Sequence, residues 1–145
     1  MLKRILTVLG LAFLIANVVP ATGEAASYHT KAINVAKNNL GIPYKWGGIT
    51  KSGFDCSGLV KYSYNIAGRT LPRTASDMYK KGTKVSSLSP GDLMFFAPYK
   101  GANPTHVSIY MGSGKMIHAA SSKGVSVSYT NNTYWQPKFI GAKRI

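Results

Sequence analysis

The stretch Gly53-Phe54-Asp55-Cys56-Ser57-Gly58 dictates where a helix must begin. Asp55 is a good N-cap, and Leu59, Tyr62, Ser63 and Ile66 follow at helical spacing, with Gly68 as a stop. Cys56, the only cysteine in the chain, then sits in the first helical turn. Backbone N–H groups and the positive end of the helix dipole favour thiolate over thiol there. The expectation is an activated nucleophile, weighed against a buried structural thiol.

The chain begins with a different kind of segment. Lys3 and Arg4 precede an apolar run from Ile5 to Val19, then Pro20, then the small residues Ala25-Ala26-Ser27. This pattern predicts a signal peptide over residues 1–26, cleaved after Ala25 or Ala26, and one domain over 27–145. The run is short for a span of ~20 residues, and no second positive cluster stops transfer, so no stable membrane anchor is expected. The predicted location is outside the cell or in its wall, or the periplasm if the host has an outer membrane. Small exported proteins usually carry cysteines in pairs, so a lone thiol there points to chemistry rather than to a disulfide.

Charge narrows the partners. The chain carries 18 Lys and Arg against 4 Asp and Glu; without Lys3, Arg4 and Glu24 its net charge falls from +14 to +13. Such a balance attracts polyanions. The lysines are scattered, and no basic run alternates with aromatics as in a strand-binding groove, so nucleic acid is not expected. For an exported chain, anionic cell-wall polymers or lipid head groups are the expected polyanionic partners.

The order of elements predicts an α+β domain. Thr30 to Leu40 reads as a helix with Ala32, Ile33, Ala36 and Leu40 as its apolar stripe. Thr74 to Lys80 reads as a short capped helix. After the turn Ser89-Pro90-Gly91-Asp92 the pattern is β: Leu93 to Ala97, His106 to Met111, Lys115 to Ala120, Gly124 to Ser128 and Phe139 to Lys143.

Two of the three histidines lie on one hairpin. A three-residue turn Gly112-Ser113-Gly114 sets Met111 opposite Lys115, His106 opposite Ala120 and His118 opposite Ser108. His106 and His118 are then diagonal neighbours on one face, roughly 7–8 Å apart by Cα. That supplies a Cys–His–polar constellation: His106 deprotonates Cys56 and later protonates a leaving amine, and His118 orients the His106 ring. His29, just before the first helix, is expected at the surface. Two histidines and a cysteine could also bind zinc, but no ligands stand at the close spacings of zinc sites, so no metal and no cofactor are expected.

These residues resemble the NlpC-type papain-like cell-wall cysteine peptidases. The matching pieces are Pro43-Tyr44-Lys45-Trp46-Gly47-Gly48, Phe54-Asp55-Cys56-Ser57-Gly58-Leu59-Val60, Leu71-Pro72-Arg73-Thr74 and Pro90-Gly91-Asp92-Leu93-Met94-Phe95-Phe96. They continue through His106-Val107-Ser108-Ile109-Tyr110-Met111-Gly112, Met116-Ile117-His118-Ala119, Tyr134-Trp135 and Gly141-Ala142-Lys143-Arg144-Ile145. The resemblance implies a papain-like α+β fold, with N-terminal helices packed on an antiparallel sheet and the nucleophile at a helix N-terminus. It implies hydrolysis of peptidoglycan stem peptides through a thiol acyl-enzyme, at the bond from γ-D-glutamate to diaminopimelate or lysine.

By the same resemblance Cys56 is the nucleophile, His106 the base and His118 the third residue. Tyr44 helps the Cys56 N–H stabilise the oxyanion. Asp55 and Ser57 line the acyl side, where Asp55 meets a free stem amine, and Arg73 clamps a stem carboxylate. Ala75-Ser76 after Arg73-Thr74, Ser108 in the histidine strand and a longer loop from Pro98 to Thr105 depart from the family pattern. The alternatives are the same triad used as an amidase or lipid acyl hydrolase, or a non-catalytic wall-binding module. Oligomeric state is not legible.

Overall fold

The computed structural model describes residues 23–145, so residues 1–22 of the expected signal peptide lie outside the described residues. Helices α1 (Gly23–Lys37), α2 (Cys56–Ile66) and α3 (Ala75–Tyr79) come first, with short strands β1 (Ile49–Thr50) and β2 (Gly53–Phe54) leading into α2. Strands β3 (Thr83–Val85), β4 (Leu93–Phe96), β5 (His106–Gly112), β6 (Lys115–Ala120), β7 (Gly124–Tyr129) and β8 (Phe139–Arg144) follow. They form one antiparallel sheet in the order β3-β8-β4-β5-β6-β7. This is the α+β arrangement that the order of elements predicts.

The two-residue alternation of the strands divides the core. Leu93, Phe95, Val107, Ile109, Ile117 and Ala119 pack beneath α1 and α2, against Leu59, Val60 and Tyr64. Met94, Phe96 and Met116 point the other way, where Leu88, Tyr110 and Trp135 cover them. His106 and His118, interleaved with the first set, therefore belong to the second face. Burying Leu59 and Val60 completely contributes about 1.5–3 kcal/mol each, which holds the first turn of α2 against the sheet.

Several local expectations shift. Helix α1 stops at Lys37, and Leu40 lies exposed in the following turn rather than completing a stripe. On α2 the buried residues beyond Cys56, Ser57 and Gly58 are Leu59, Val60, Ser63 and Tyr64, while Ile66 faces solvent. The sheet covers the helix on its Tyr64 side, and no periodicity reveals which of two neighbouring stripes it will choose. His29 is buried: its Nε2 lies 3.0 Å from the Ile145 carbonyl oxygen, and its ring packs beside Tyr28 and Tyr64. That partner stands at the opposite end of the chain and has no local signal.

The β5–β6 turn is shorter than expected, with the same consequence. Ser113 and Gly114 both take positive φ, 54° and 70°, as a two-residue turn requires, and Gly112 pairs with Lys115. A bulge at Met111 absorbs the lost residue, so Ile109 still faces Ile117 and Tyr110 still faces Met116. The histidines keep their common face.

Candidate active site

Cys56 owes its position to the cap before it. Asp55 Oδ1 accepts from Gly58 N at 2.7 Å, and Oδ2 accepts from Gly47 N at 3.1 Å. One carboxylate thus fixes both the first turn of α2 and the glycine segment that carries Tyr44. The two backbones meet closely: a Cβ on Gly58 would overlap the Gly48 carbonyl oxygen. Only glycine lets α2 approach this segment, which brings Tyr44 to the rim of the cavity that Cys56 and His106 share.

Arg73 sits differently from its expected role. Its guanidinium donates to both Asp55 oxygens, at 3.0 and 2.7 Å, and to Ser57 Oγ at 2.8 Å. The fork that would clamp a substrate carboxylate is closed on Asp55, whose oxygens in turn have little capacity left for a substrate amine. Burial would raise the Asp55 pKa, but Arg73 and the Gly58 amide outweigh it and hold the carboxyl below its ordinary range.

The histidines form a relay. His106 Nε2 lies 2.8 Å from His118 Nδ1, and His118 Nε2 lies 2.8 Å from Ser128 Oγ. Burial, and then the neighbouring His118, push the His106 pKa down to about 3. Burial, and then Lys123, push that of His118 down to about 4. Both rings are therefore neutral near pH 7, and each link carries one proton. If His106 Nε2–H donates to His118 Nδ1, His118 donates from Nε2 to Ser128. Only this assignment leaves His106 Nδ1 as a lone-pair base. Trp135 stacks on His106 with centroids 4.1 Å apart and planes at 19°, shielding the first link.

The thiol corrects one expectation. A position in the first turn of α2 should favour thiolate, yet burial raises the Cys56 pKa and outweighs the Val107 and Ser57 amides that oppose it. Cys56 Sγ donates weakly to the Thr105 carbonyl, at 3.7 Å. Cys56 and His106 line one cavity of about 240 Å³, with Tyr44 and Trp135 on its walls. Tyr44 also faces a second cleft of about 580 Å³ beside Asp55, Ser57 and Arg73. Burial and then the Cys56 and Asp55 charges raise the Tyr44 pKa, so its phenol remains a donor.

Four contributors have no assigned role in the sequence reading. Thr105 belongs to the longer loop, Trp135 to a quoted motif, and Lys138 to the turn before β8. Ser128 lies diagonally across from His118, because β6 and β7 pair Met116 with Ser128 and His118 with Ser126. The alternation of β7 is visible in sequence, but its register against β6 is not. Among the described residues no group of three His, Cys, Asp or Glu side chains is placed to hold a metal ion.

Comparisons with known proteins give the family and the fold. A model of the NlpC/P60 family matches residues 41–144. The chain is 44% identical over 128 residues to the gamma-DL-glutamyl hydrolase of Bacillus subtilis, covering 84% of this chain and 31% of that one. It is 46% identical over 116 residues to the probable peptidoglycan endopeptidase LytE of the same organism, covering 79% and 34%. A solved NlpC/P60 family protein from Bacillus cereus matches with a TM-score of 0.77 at 35% identity, over 80% of this chain and 39% of that one. The chain spans about a third of the length of these two curated relatives.

Proposed function

This chain belongs to the NlpC/P60 family, and from that premise we propose that it is a cysteine endopeptidase of peptidoglycan stem peptides. We further propose that it cuts the bond from γ-D-glutamate to the third stem residue. The observation that carries the reading is the ordered pair of histidines beside a thiol at a helix N-terminus. Only an acid–base partner whose proton is directed away from the thiol can take the thiol's own proton.

The steps balance with these groups alone. His106 Nδ1 takes the Cys56 proton, and the thiolate sulfur attacks the γ-glutamyl carbonyl carbon. The oxyanion forms where the Cys56 N–H and the Tyr44 hydroxyl can donate. The C–N bond breaks as the imidazolium returns its proton to the leaving amine. Water, deprotonated by His106, then attacks the thioester and releases the acid and the thiol. His118, tied to Ser128, holds the His106 tautomer through both halves. With Arg73 closed on Asp55, the Asp55–Ser57–Arg73 unit presents a neutral polar wall to the acyl half of the substrate.

Export to the cell wall and attraction to its anionic polymers are part of the same proposal. Among the described residues Asp55, Asp77 and Asp92 are already paired, with Arg73, Lys80 and Arg144. The remaining cations are available to a polyanion. The test of the activity is digestion of purified muropeptides by the protein and by its Cys56→Ala variant, read by mass spectrometry. The proposal expects cleavage between the second and third stem residues, absent in the variant. Cleavage at another bond would contradict the assigned specificity, and none on stems of several chemotypes would contradict the peptidase reading.

A further inference from the structure

We propose that Lys138, with Lys100 on the wall of the same adjoining cavity, forms a carboxylate-binding subsite for the leaving half of the substrate, so that the enzyme prefers stems whose third residue carries a free carboxylate. The inference rests on the peptidase reading above and adds to it a substrate class and the residues that select it.

The side of the cleft follows from the chemistry. The group that protonates the departing amine is His106, so the leaving half lies on the His106 side, away from the cleft that Arg73 lines. Lys138 stands there, on the rim of the cavity that contains Cys56 and His106. Beyond Lys138 a second cavity of about 540 Å³ opens, with Tyr79, Tyr99, Lys100, Asn103 and Phe139 among its walls. A ligand that leaves the catalytic cavity on this side passes Lys138 first.

Lys138 is held for such a task. Its backbone is tied at both ends: Ala97 N donates to its carbonyl and its N–H donates to the Trp135 carbonyl, each at 2.9 Å. The residue is half-buried, its Nζ donates to the Tyr134 carbonyl at 3.1 Å, and it lies 3.9 Å over the Tyr134 ring. An ammonium has three donors, and this one bond leaves two for an incoming anion. Restraint of the long side chain in the protein lowers the entropy lost on binding.

The charge pattern is asymmetric in a way that neither the fold nor the catalytic steps require. On the acyl side Arg73 is neutralised by Asp55. On the leaving side no acidic residue lines either cavity, and no carboxylate among the described residues pairs with Lys138 or Lys100. A third residue with a free carboxylate satisfies them; the matching carboxamide does not.

The test compares two stem peptides that differ only in a carboxylate or carboxamide on the third residue. For the unaltered protein the expected kcat/KM is about tenfold higher for the carboxylate, carried mainly by KM, as one charge-assisted contact allows. The preference should shrink in high salt, fall partway in Lys138→Gln and in Lys100→Gln, drop below about twofold in the double variant, and survive in Lys138→Arg. Lys84→Gln, on the distant β3, should leave it unchanged. Equal turnover of both peptides by the unaltered protein, or a full preference in the double variant, would overturn the subsite while leaving the peptidase reading intact. Cleavage of neither peptide would overturn both.

Discussion

Two buried neutral histidines make the fold sensitive to mild acid, and the size of the effect can be worked out. The ordinary histidine pKa is about 6.5 in the unfolded chain. In the folded protein that of His106 is pushed down to about 3 and that of His118 to about 4. Lowered pKa values mean that protons favour the unfolded chain, so the stability is complete above pH 6.5 and falls as pH drops toward 4 and 3. At pH 5 both folded values are still below the solvent pH. The loss per ring then depends only on the unfolded value: about 1.4 kcal/mol per unit over about 1.5 units, or about 2 kcal/mol. The pair should lose about 4 kcal/mol between pH 7 and pH 5. With a urea slope of about 2 kcal/mol per molar, the unfolding midpoint should drop by about 2 M. The assay is urea denaturation at the two pH values for the protein and for the His106→Gln/His118→Gln double variant. The variant should lose less than about 1 kcal/mol over the same interval, whatever its absolute stability. The lowered Asp55 carboxyl titrates in more acid solution, so it does not confuse this window. A midpoint in the unaltered protein that does not move, or an equal drop in the double variant, would refute the reasoning.

Other consequences are simpler to state. Ser128→Ala removes the acceptor that fixes the His118 tautomer, so kcat should fall about tenfold with KM unchanged and Ser128→Thr should restore it. Because burial raises the Cys56 pKa, alkylation by iodoacetamide should accelerate with pH through a midpoint above about 8.5, and a midpoint below 7 would contradict the neutral thiol. Pelleting with purified walls should weaken steeply as salt rises, and retention unchanged by high salt would count against attraction through the basic surface.

How much of this was legible follows from where each partner lies in the chain. The cap Asp55 and the helix behind it are local, and so is the alternation that sets His106 and His118 on one face; both can be read directly. The hairpin register survives a turn of different length because the bulge at Met111 compensates for it. Interactions between distant segments are hidden. Nothing near Arg73 announces that Asp55 will take its fork, nothing near His29 announces Ile145, and Ser128 meets His118 only through a register set by the whole β6–β7 pair. The thiol shows the same limit in energetic form. Its helix position is local and favours ionisation, but its burial depends on the long loop ending at Thr105 and on the sheet beneath, and burial wins.

The central claim is that Cys56 carries the acyl half of a stem peptide. The measurement that tests it most directly is rapid acid quenching of the protein with a tetrapeptide stem, followed by mass spectrometry of the peptide that contains Cys56. The account predicts a thioester increment equal to the acyl group ending in γ-D-glutamate, on Cys56 alone, decaying as product forms. An increment on another residue, an increment ending elsewhere in the stem, or turnover without any covalent intermediate even when its hydrolysis is slowed, would contradict it.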